Sequence, residues 1–194
     1  MIEIEIKAHV YDKEQLRHTL CSFAEYVQTV DRHDLYYHIP VKQEPGKKPY
    51  ITARIRREFM QTPEGERKTV YVTYKKKERS ENAVEVNIEK ETVIQDESVL
   101  TALFTDAGFE LAHKKDKHVE DYSVQTEFGN ATLELCTVGP LGDFLEIEIL
   151  SETDEPERTE KIRQELKKLL AKCGIPESCI EPKYYTQMLS ELKQ

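Results

Sequence analysis

The sequence predicts an α+β domain in which helices pack on a large, mainly antiparallel sheet. Three observations carry this. Several segments alternate polar and apolar residues with period 2, three stretches show helical spacing with recognisable ends, and strand-then-helix units recur with no linker between them. A single domain over residues 1–194 is expected, since that length suits one substantial core.

The elements follow in chain order. "EIEIK" puts Ile2, Ile4 and Ile6 on one strand face and Glu3, Glu5 and Lys7 on the other. Asp12 caps a helix carrying Leu16, Leu20, Phe23 and Val27, and Gln15 supplies the reciprocal partner of a capping box. "VKQEPGKKP" reads as a surface loop that includes Lys47 and Lys48. "YITARIRRE" separates Thr52, Arg54 and Arg56 from Ile51, Ala53 and Ile55, and "TVYVTYKKK" separates Tyr71, Thr73 and Lys75 from Val70, Val72 and Tyr74. "MQTPEGE" between them is a hairpin loop. After the alternating "AVEVNIEKE", Asp96 opens a helix with a stripe of Leu100, Leu103, Phe104 and Ala107, ended by Gly108.

The second half repeats the scheme. "NATLELCTV" and "DFLEIEIL" are strands, the first less regular than the second. "DEPERTEKIRQELKKLLAKCGIP" begins acidic with Pro156 and ends basic, as the helix dipole favours. Its buried side is Ile162, Leu166, Leu169 and Cys173, and Gly174 stops it. A short helix after Pro182 is expected to turn Tyr185, Leu189 and Leu192 inward.

Composition narrows the function classes. Hydrophobic content of 38 % with 34 % charged residues describes a charge-rich globular chain. The net charge of −9 argues against a nucleic-acid or anionic-membrane partner, both of which want a basic field. No apolar run approaches the roughly 18 residues that span a bilayer. An N-terminus that reads as a strand, without a signal-type apolar region, gives a cytoplasmic expectation. Cys21, Cys136, Cys173 and Cys179 lack paired spacing and read as reduced, mostly buried thiols.

The charged strand faces admit two explanations. Each is a solvated sheet face, or together they line an enclosed space. Acidic groups occur as pairs (Glu3/Glu5, Glu89/Glu91, Glu146/Glu148), and basic groups as Arg54/Arg56, Lys75 and Lys115/Lys117. Convergence of both signs in a narrow lumen is costly unless a ligand carries both signs too. A polyphosphate with divalent cations is such a ligand: basic groups take phosphate oxygens and carboxylates take Mg²⁺ or Mn²⁺. His33 and His38 fit no metal motif, Tyr184 and Tyr185 read as helix packing, and Lys167 and Lys168 as a solvated helix face.

The motifs resemble the CYTH superfamily, the triphosphate tunnel metalloenzymes. "EIEIK" resembles its E-x-E-x-K signature, "DLYYHIP" the D-x-Y segment, "ARIRR" the R-x-R strand and "VTYKKK" the T-Y-K strand. "NIEKE" with the following helix and "AGFE" resembles the R-x-E-x-E, helix, G-F block, and "GPLGDFLEIEI" resembles the L-G-x-F-x-E-I-E strand. The resemblance implies an eight-stranded antiparallel closed barrel with a polar interior and helices packed outside. It implies that Lys7, Arg54, Arg56 and Lys75 bind the triphosphate and carry catalysis, joined in substrate binding by Lys115, Lys117, Glu89 and Glu91. Glu3, Glu5, Glu146 and Glu148 would hold Mg²⁺ or Mn²⁺.

Two positions, Asn87 and Cys136, depart from the family pattern, and the basic block at 115–117 fits it loosely. Asn87 stands where an arginine is usual, and Lys115 and Lys117 stand where K-x-R is common. Cys136 stands where a metal-binding aspartate is usual, and a thiol suits Mg²⁺ poorly, so Glu134 on the same face is expected to supply the carboxylate. The chain looks most like the class IV adenylyl cyclases, which convert ATP to cyclic AMP and pyrophosphate. An inorganic tripolyphosphatase or thiamine triphosphatase is the alternative, and a non-catalytic nucleotide or polyphosphate binder is a third. ATP, thiamine triphosphate or tripolyphosphate is the implied small-molecule partner, for a monomer or homodimer. A crowded basic cluster also implies that Arg54→Ala or Arg56→Ala would cut activity while leaving the melting temperature similar or higher.

Overall fold

The computed structural model describes residues 2–39, 52–79, 85–153 and 155–192, with side chains throughout except at 52, 75–79 and 85–89. The loop around Lys47 and Lys48 lies outside the described residues. The strands are β1 (Ile2–Val10), β2 (Glu25–His38), β3 (Thr52–Thr62), β4 (Gly65–Arg79), β5 (Glu85–Ile94), β6 (Glu110–Thr126), β7 (Gly129–Val138) and β8 (Gly142–Ser151). The helices are α1 (Lys13–Cys21), α2 (Glu97–Asp106), α3 (Pro156–Lys172) and α4 (Tyr185–Glu191).

All eight strands pair antiparallel, in the cyclic order β1-β5-β4-β3-β2-β6-β7-β8. β1 joins both ends of that order: nine residue pairs connect it to β8, and four, Ile2–Glu5 against Glu85–Ile88, connect it to β5. In such a ring each strand faces the one four places away. β1 therefore faces β2, β8 faces β3, β7 faces β4 and β6 faces β5.

Period 2 separates two environments. Ile4, Ile6, Leu133, Leu135, Leu145, Ile147 and Ile149 point outward and pack beneath Leu16 and Leu20 of α1 and Ile162, Leu166 and Leu170 of α3. A second outer cluster sets Leu100 and Phe104 of α2 on Tyr37, Ile55 and Val70. The helix ends follow the expected chemistry. The Asp12 carboxylate accepts from the Gln15 backbone N–H at 2.9 Å, Asp96 from Ser98 at 2.8 Å, and Gly108 (φ 83°) and Gly174 (φ 76°) take the left-handed turns that follow α2 and α3.

Several expectations need correction. α1 ends at Cys21, and Val27 lies in β2, 55 % exposed, because strand pairing with β6 from Glu25 onward claims that segment. Leu103 is exposed, leaving Leu100 and Phe104 as the packed stripe of α2. The hairpin loop is tighter than its sequence suggests, with Thr62 and Gly65 already paired and Gly65 at φ 118°. Two of the four cysteines, Cys136 and Cys173, are buried, whereas Cys21 is exposed.

α4 departs furthest. Tyr185 and Met188 are its buried residues, while Leu192 is 60 % exposed. They pack with Val30, Val119, Cys136, Val138 and Phe144. Those share the strand faces of Arg32, Lys117, Glu134 and Glu146, so they lie on the inner side of the sheet. α4 is thus not an outer helix like the other three: it seals inward-facing apolar residues that the outer helices cannot reach.

Candidate functional site

The alternation that aims isoleucines and leucines at α1 and α3 turns the intervening charged residues toward the barrel interior. Acidic residues come mainly from β1, β7 and β8: Glu3, Glu5, Glu134, Glu146 and Glu148. Basic residues come mainly from β2, β3 and β6: Arg32, Arg54, Arg56, Lys115 and Lys117. Because β1 faces β2 and β8 faces β3, an acidic wall confronts a basic one.

One group of these charges is densely paired. Arg56 grips Asp34 with two bonds, Nε to Oδ1 at 2.8 Å and Nη2 to Oδ2 at 3.0 Å, and Lys115 lies 3.1 Å from Oδ2 of the same carboxylate. Burial alone would push Asp34 up, yet Arg56 and Lys115 hold its carboxyl well below the usual carboxylate range. Arg32 donates to Glu58 at 2.8 Å and to Glu134 at 2.6 Å. Lys117 donates to Glu134 at 2.5 Å and also to Glu146. Glu134 too is held well below its ordinary value, burial being outweighed by Arg32 and Lys117. Asp121, 3.7 Å from Arg32, is shifted up instead, first by burial and then by the nearby Glu134 charge.

A second group differs in kind. Glu3, Glu5 and Glu148 each offer a carboxylate oxygen, and these oxygens all lie within 4.8 Å of one another. β1–β8 pairing sets Glu5 opposite Glu148, and period 2 brings Glu3 onto the same face. Three hard oxygen donors at half-buried positions suit Mg²⁺ or Mn²⁺. Nearby on the ring, Arg54 donates to Thr73 Oγ1 at 3.1 Å and to Glu91 at 3.2 Å, and Thr73 donates to Glu91 at 2.5 Å.

The structure thus brings together Lys7, Arg54, Arg56, Lys115, Lys117, Glu91, Glu134, Glu146 and both members of Glu3/Glu5 with Glu148 on one inner face. It divides the acidic residues, however. Glu134 and Glu146 share Lys117, while Glu3, Glu5 and Glu148 form the clustered set. Lys75 and Glu89 are register partners on β4 and β5, but their side chains, like that of Asn87, lie outside those described. Cys136 is buried, and desolvation pushes its thiol up to about 12, so it sits protonated beside the Lys117 ion pairs.

Sequence reasoning missed Arg32, Asp34, Glu58, Thr73, Asp121 and the contacts of Tyr185. Asp34 and Thr73 lay within motifs already noted, and Arg32 shares a strand face with Asp34 by simple alternation in "DRHDLYY". Tyr185 was expected to turn inward as helix packing, and it is buried, but nothing in the sequence signals that its ring meets lysines of β1 and β6.

Comparison with known proteins agrees with this geometry. No curated protein matches the chain. Among solved structures it is similar to the PH1819 protein from Pyrococcus horikoshii OT3 (TM-score 0.80, 24 % identity, covering 98 % of this chain and 99 % of that one). It is similar to a protein from Vibrio parahaemolyticus described as a candidate adenylate cyclase (TM-score 0.74, 18 % identity, 98 % of both chains). It is also similar to HpAC1 from Hippeastrum, for which a dominant triphosphatase activity is described (TM-score 0.59, 18 % identity, 99 % of this chain and 95 % of that one). The CYTH domain profile matches residues 1–185, a span that runs from the first strand to the helix closing the inner apolar cluster, and the chain belongs to the CYTH family.

Proposed function

We propose that the chain is a divalent-metal-dependent enzyme that acts on a triphosphate within a charged tunnel, and that hydrolysis of the terminal phosphate is its principal reaction. The observation that carries this is the confrontation of the Glu3/Glu5/Glu148 carboxylates with arginines on the facing strands. A metal–polyphosphate is the ligand whose charges complement both walls at once.

The chain's own residues divide the work. Arg54 and Arg56 present planar donors suited to bidentate contact with phosphate oxygens, and Lys7 and Lys115 add point charges. Asp34 fixes Arg56, and Thr73 with Glu91 fixes Arg54, so the donors are in place before the reaction begins. Mg²⁺ or Mn²⁺, held by Glu3, Glu5 and Glu148, would supply further charge neutralisation at the phosphate oxygens. Water attacks the terminal phosphorus, the bond to the bridging oxygen breaks, the water's proton passes to an oxygen of the released phosphate or to solvent, and the basic residues stabilise the charge gathering on the departing diphosphate.

Cyclisation is the second reading: the ribose 3′-oxygen of ATP would attack the α-phosphorus and expel pyrophosphate. It requires a seat for adenine. Tyr71 and Val93, paired in register one step beyond Thr73 and Glu91 on the inner face, are the described groups that offer an aromatic and apolar ledge. Val93 is 59 % exposed, as a ledge at an opening would be.

Incubation with tripolyphosphate, thiamine triphosphate and ATP, each with Mg²⁺ or Mn²⁺, tests the reading. Orthophosphate release that stops on chelation is expected. Cyclic AMP with pyrophosphate from ATP would select cyclisation, and intact substrate in every tube would overturn both.

A further inference from the structure

Among the described residues, three lysines of the inner face gather around the ring of Tyr185, and one of them, Lys115, also lies over Tyr36. The Tyr185 ring centroid lies 4.6 Å from Lys7 Nζ, 5.1 Å from Lys115 Nζ and 5.9 Å from Lys117 Nζ. These lysines come from two strands, β1 and β6, and the tyrosine from α4, far away in sequence. Tyr185 is 8 % exposed and is itself held edge-on by Phe144, with centroids 5.1 Å apart at 82°. Its hydroxyl lies 3.7 Å from Cys136 Sγ. The segment leading into α4 also reaches the same group, since Lys7 Nζ donates to the Lys183 carbonyl at 2.5 Å.

Ammonium groups gathered on one ring repel one another. Carboxylates offset part of that cost, Asp34 for Lys115 and Glu134 with Glu146 for Lys117, but each such pair takes up an ammonium proton. The face of an aromatic ring attracts cations through its quadrupole and accepts no strong hydrogen bond, so its share of the stabilisation takes up none. The apolar ring also excludes water from the cluster, which strengthens each charge.

We infer that Tyr185 is a positioning residue for the triphosphate site: its ring holds the Lys7 and Lys115 ammonium groups together without taking up their protons, so that both can turn toward one anion, while Lys117 at the ring's far edge stays with its carboxylates. The inference deepens the proposed triphosphate reading and rests on it for its consequence in binding. It assigns to α4 a role in substrate recognition beyond covering apolar side chains. The ring, and not the hydroxyl, is the working part.

The test separates ring from hydroxyl and separates this inference from the triphosphate reading. In the wild-type protein, proton NMR should show the side-chain ε-methylene signal of Lys7 moved upfield by the ring, relative to exposed lysines such as Lys168; Lys115 also lies over Tyr36, so Lys7 is the reporter. Y185F should keep that shift and Y185M should lose it. Titration with tripolyphosphate in Mg²⁺ should give Y185F an affinity within about twofold of wild type and Y185M one about tenfold weaker, the size expected from losing a desolvated cation–ring contact. Ordinary lysine shifts in the wild type, equal losses for Y185F and Y185M, or unchanged affinity in Y185M with lost shifts would each overturn the inference. If Y185M fails to fold, the wild-type shifts and the Y185F affinity decide. Failure of wild type to bind tripolyphosphate would refute the triphosphate reading, and the lysine shifts would still decide whether the ring holds them.

Discussion

The inner face holds two acidic groups built from the same kinds of strand, and they behave differently. Glu134 and Glu146, on β7 and β8, are locked to Lys117 and Arg32 by bonds of hydrogen-bond length. Glu3, Glu5 and Glu148, on β1 and β8, bring three carboxylates within 4.8 Å of one another. The first group spends its charge on holding the basic side chains in place. The second sets three oxygen donors within reach of one cation. Residues two positions apart on β8, Glu146 and Glu148, fall on opposite sides of this divide, so strand and residue type do not decide the role; the neighbours do.

The largest effect should come from breaking the paired group. Asp34 serves both Arg56 and Lys115 and is almost fully buried, so Asp34→Ala strands two buried cations and should cost about 3–5 kcal/mol in unfolding free energy, measured by urea titration. Arg56→Ala should lower the melting temperature as well. This reverses the expectation from a crowded basic cluster, because Arg56 is bidentate to Asp34 and its removal leaves a buried carboxylate to Lys115 and the Tyr36 hydroxyl.

The clustered group should respond chiefly in activity. Glu5→Gln or Glu148→Gln should reduce triphosphate turnover by roughly two orders of magnitude, in the range of losses from removing one preorganised electrostatic group. Either change should also abolish the thermal shift on adding Mg²⁺ or Mn²⁺. A variant that keeps full turnover and the full thermal shift would erase the distinction.

Acid sharpens the same contrast. For Asp34 and Glu134, burial opposes ionisation but the flanking cations outweigh it, so their folded-state values lie well below the ordinary ones. The folded protein then binds fewer protons than the unfolded chain below about pH 4–5, so their stabilisation is complete above that range and is lost as pH falls toward the folded values. Unfolding free energy should fall with acidification, and Asp34→Asn should flatten the fall.

The smallest effect concerns thiols. Burial pushes Cys136 and Cys173 up to about 12. At pH 8 both should resist a thiol reagent until urea is added, whereas exposed Cys21 should react at once. Rapid reaction of Cys136 in the native protein would show that the inner face is more open to solvent than the paired charges require.

Much of this was legible in the sequence, for identifiable reasons. Period 2 in "EIEIK" and "FLEIEI" fixed which side of β1 and β8 is apolar, because a one-residue slip would bury glutamates against α3. The motifs pointed to Arg54, Arg56 and the E-x-E pairs because those charges lie on strands of unbroken alternation. The partition of the carboxylates was not legible, since it depends on Lys117 and Arg32 reaching across from β6 and β2, a tertiary fact. Nor was the inward placement of α4: its buried residues, Tyr185 and Met188, are three apart in a helix too short to show a stripe, and their partners come from β2, β6, β7 and β8.

Calorimetric titration of tripolyphosphate into the protein, with and without Mg²⁺, tests the central claim most directly. A single site is expected, tightened by Mg²⁺ only while Glu3, Glu5 and Glu148 are intact, and weakened by Arg54→Ala. The contradicting result is an absence of saturable binding, or binding that ignores both the metal and these four side chains.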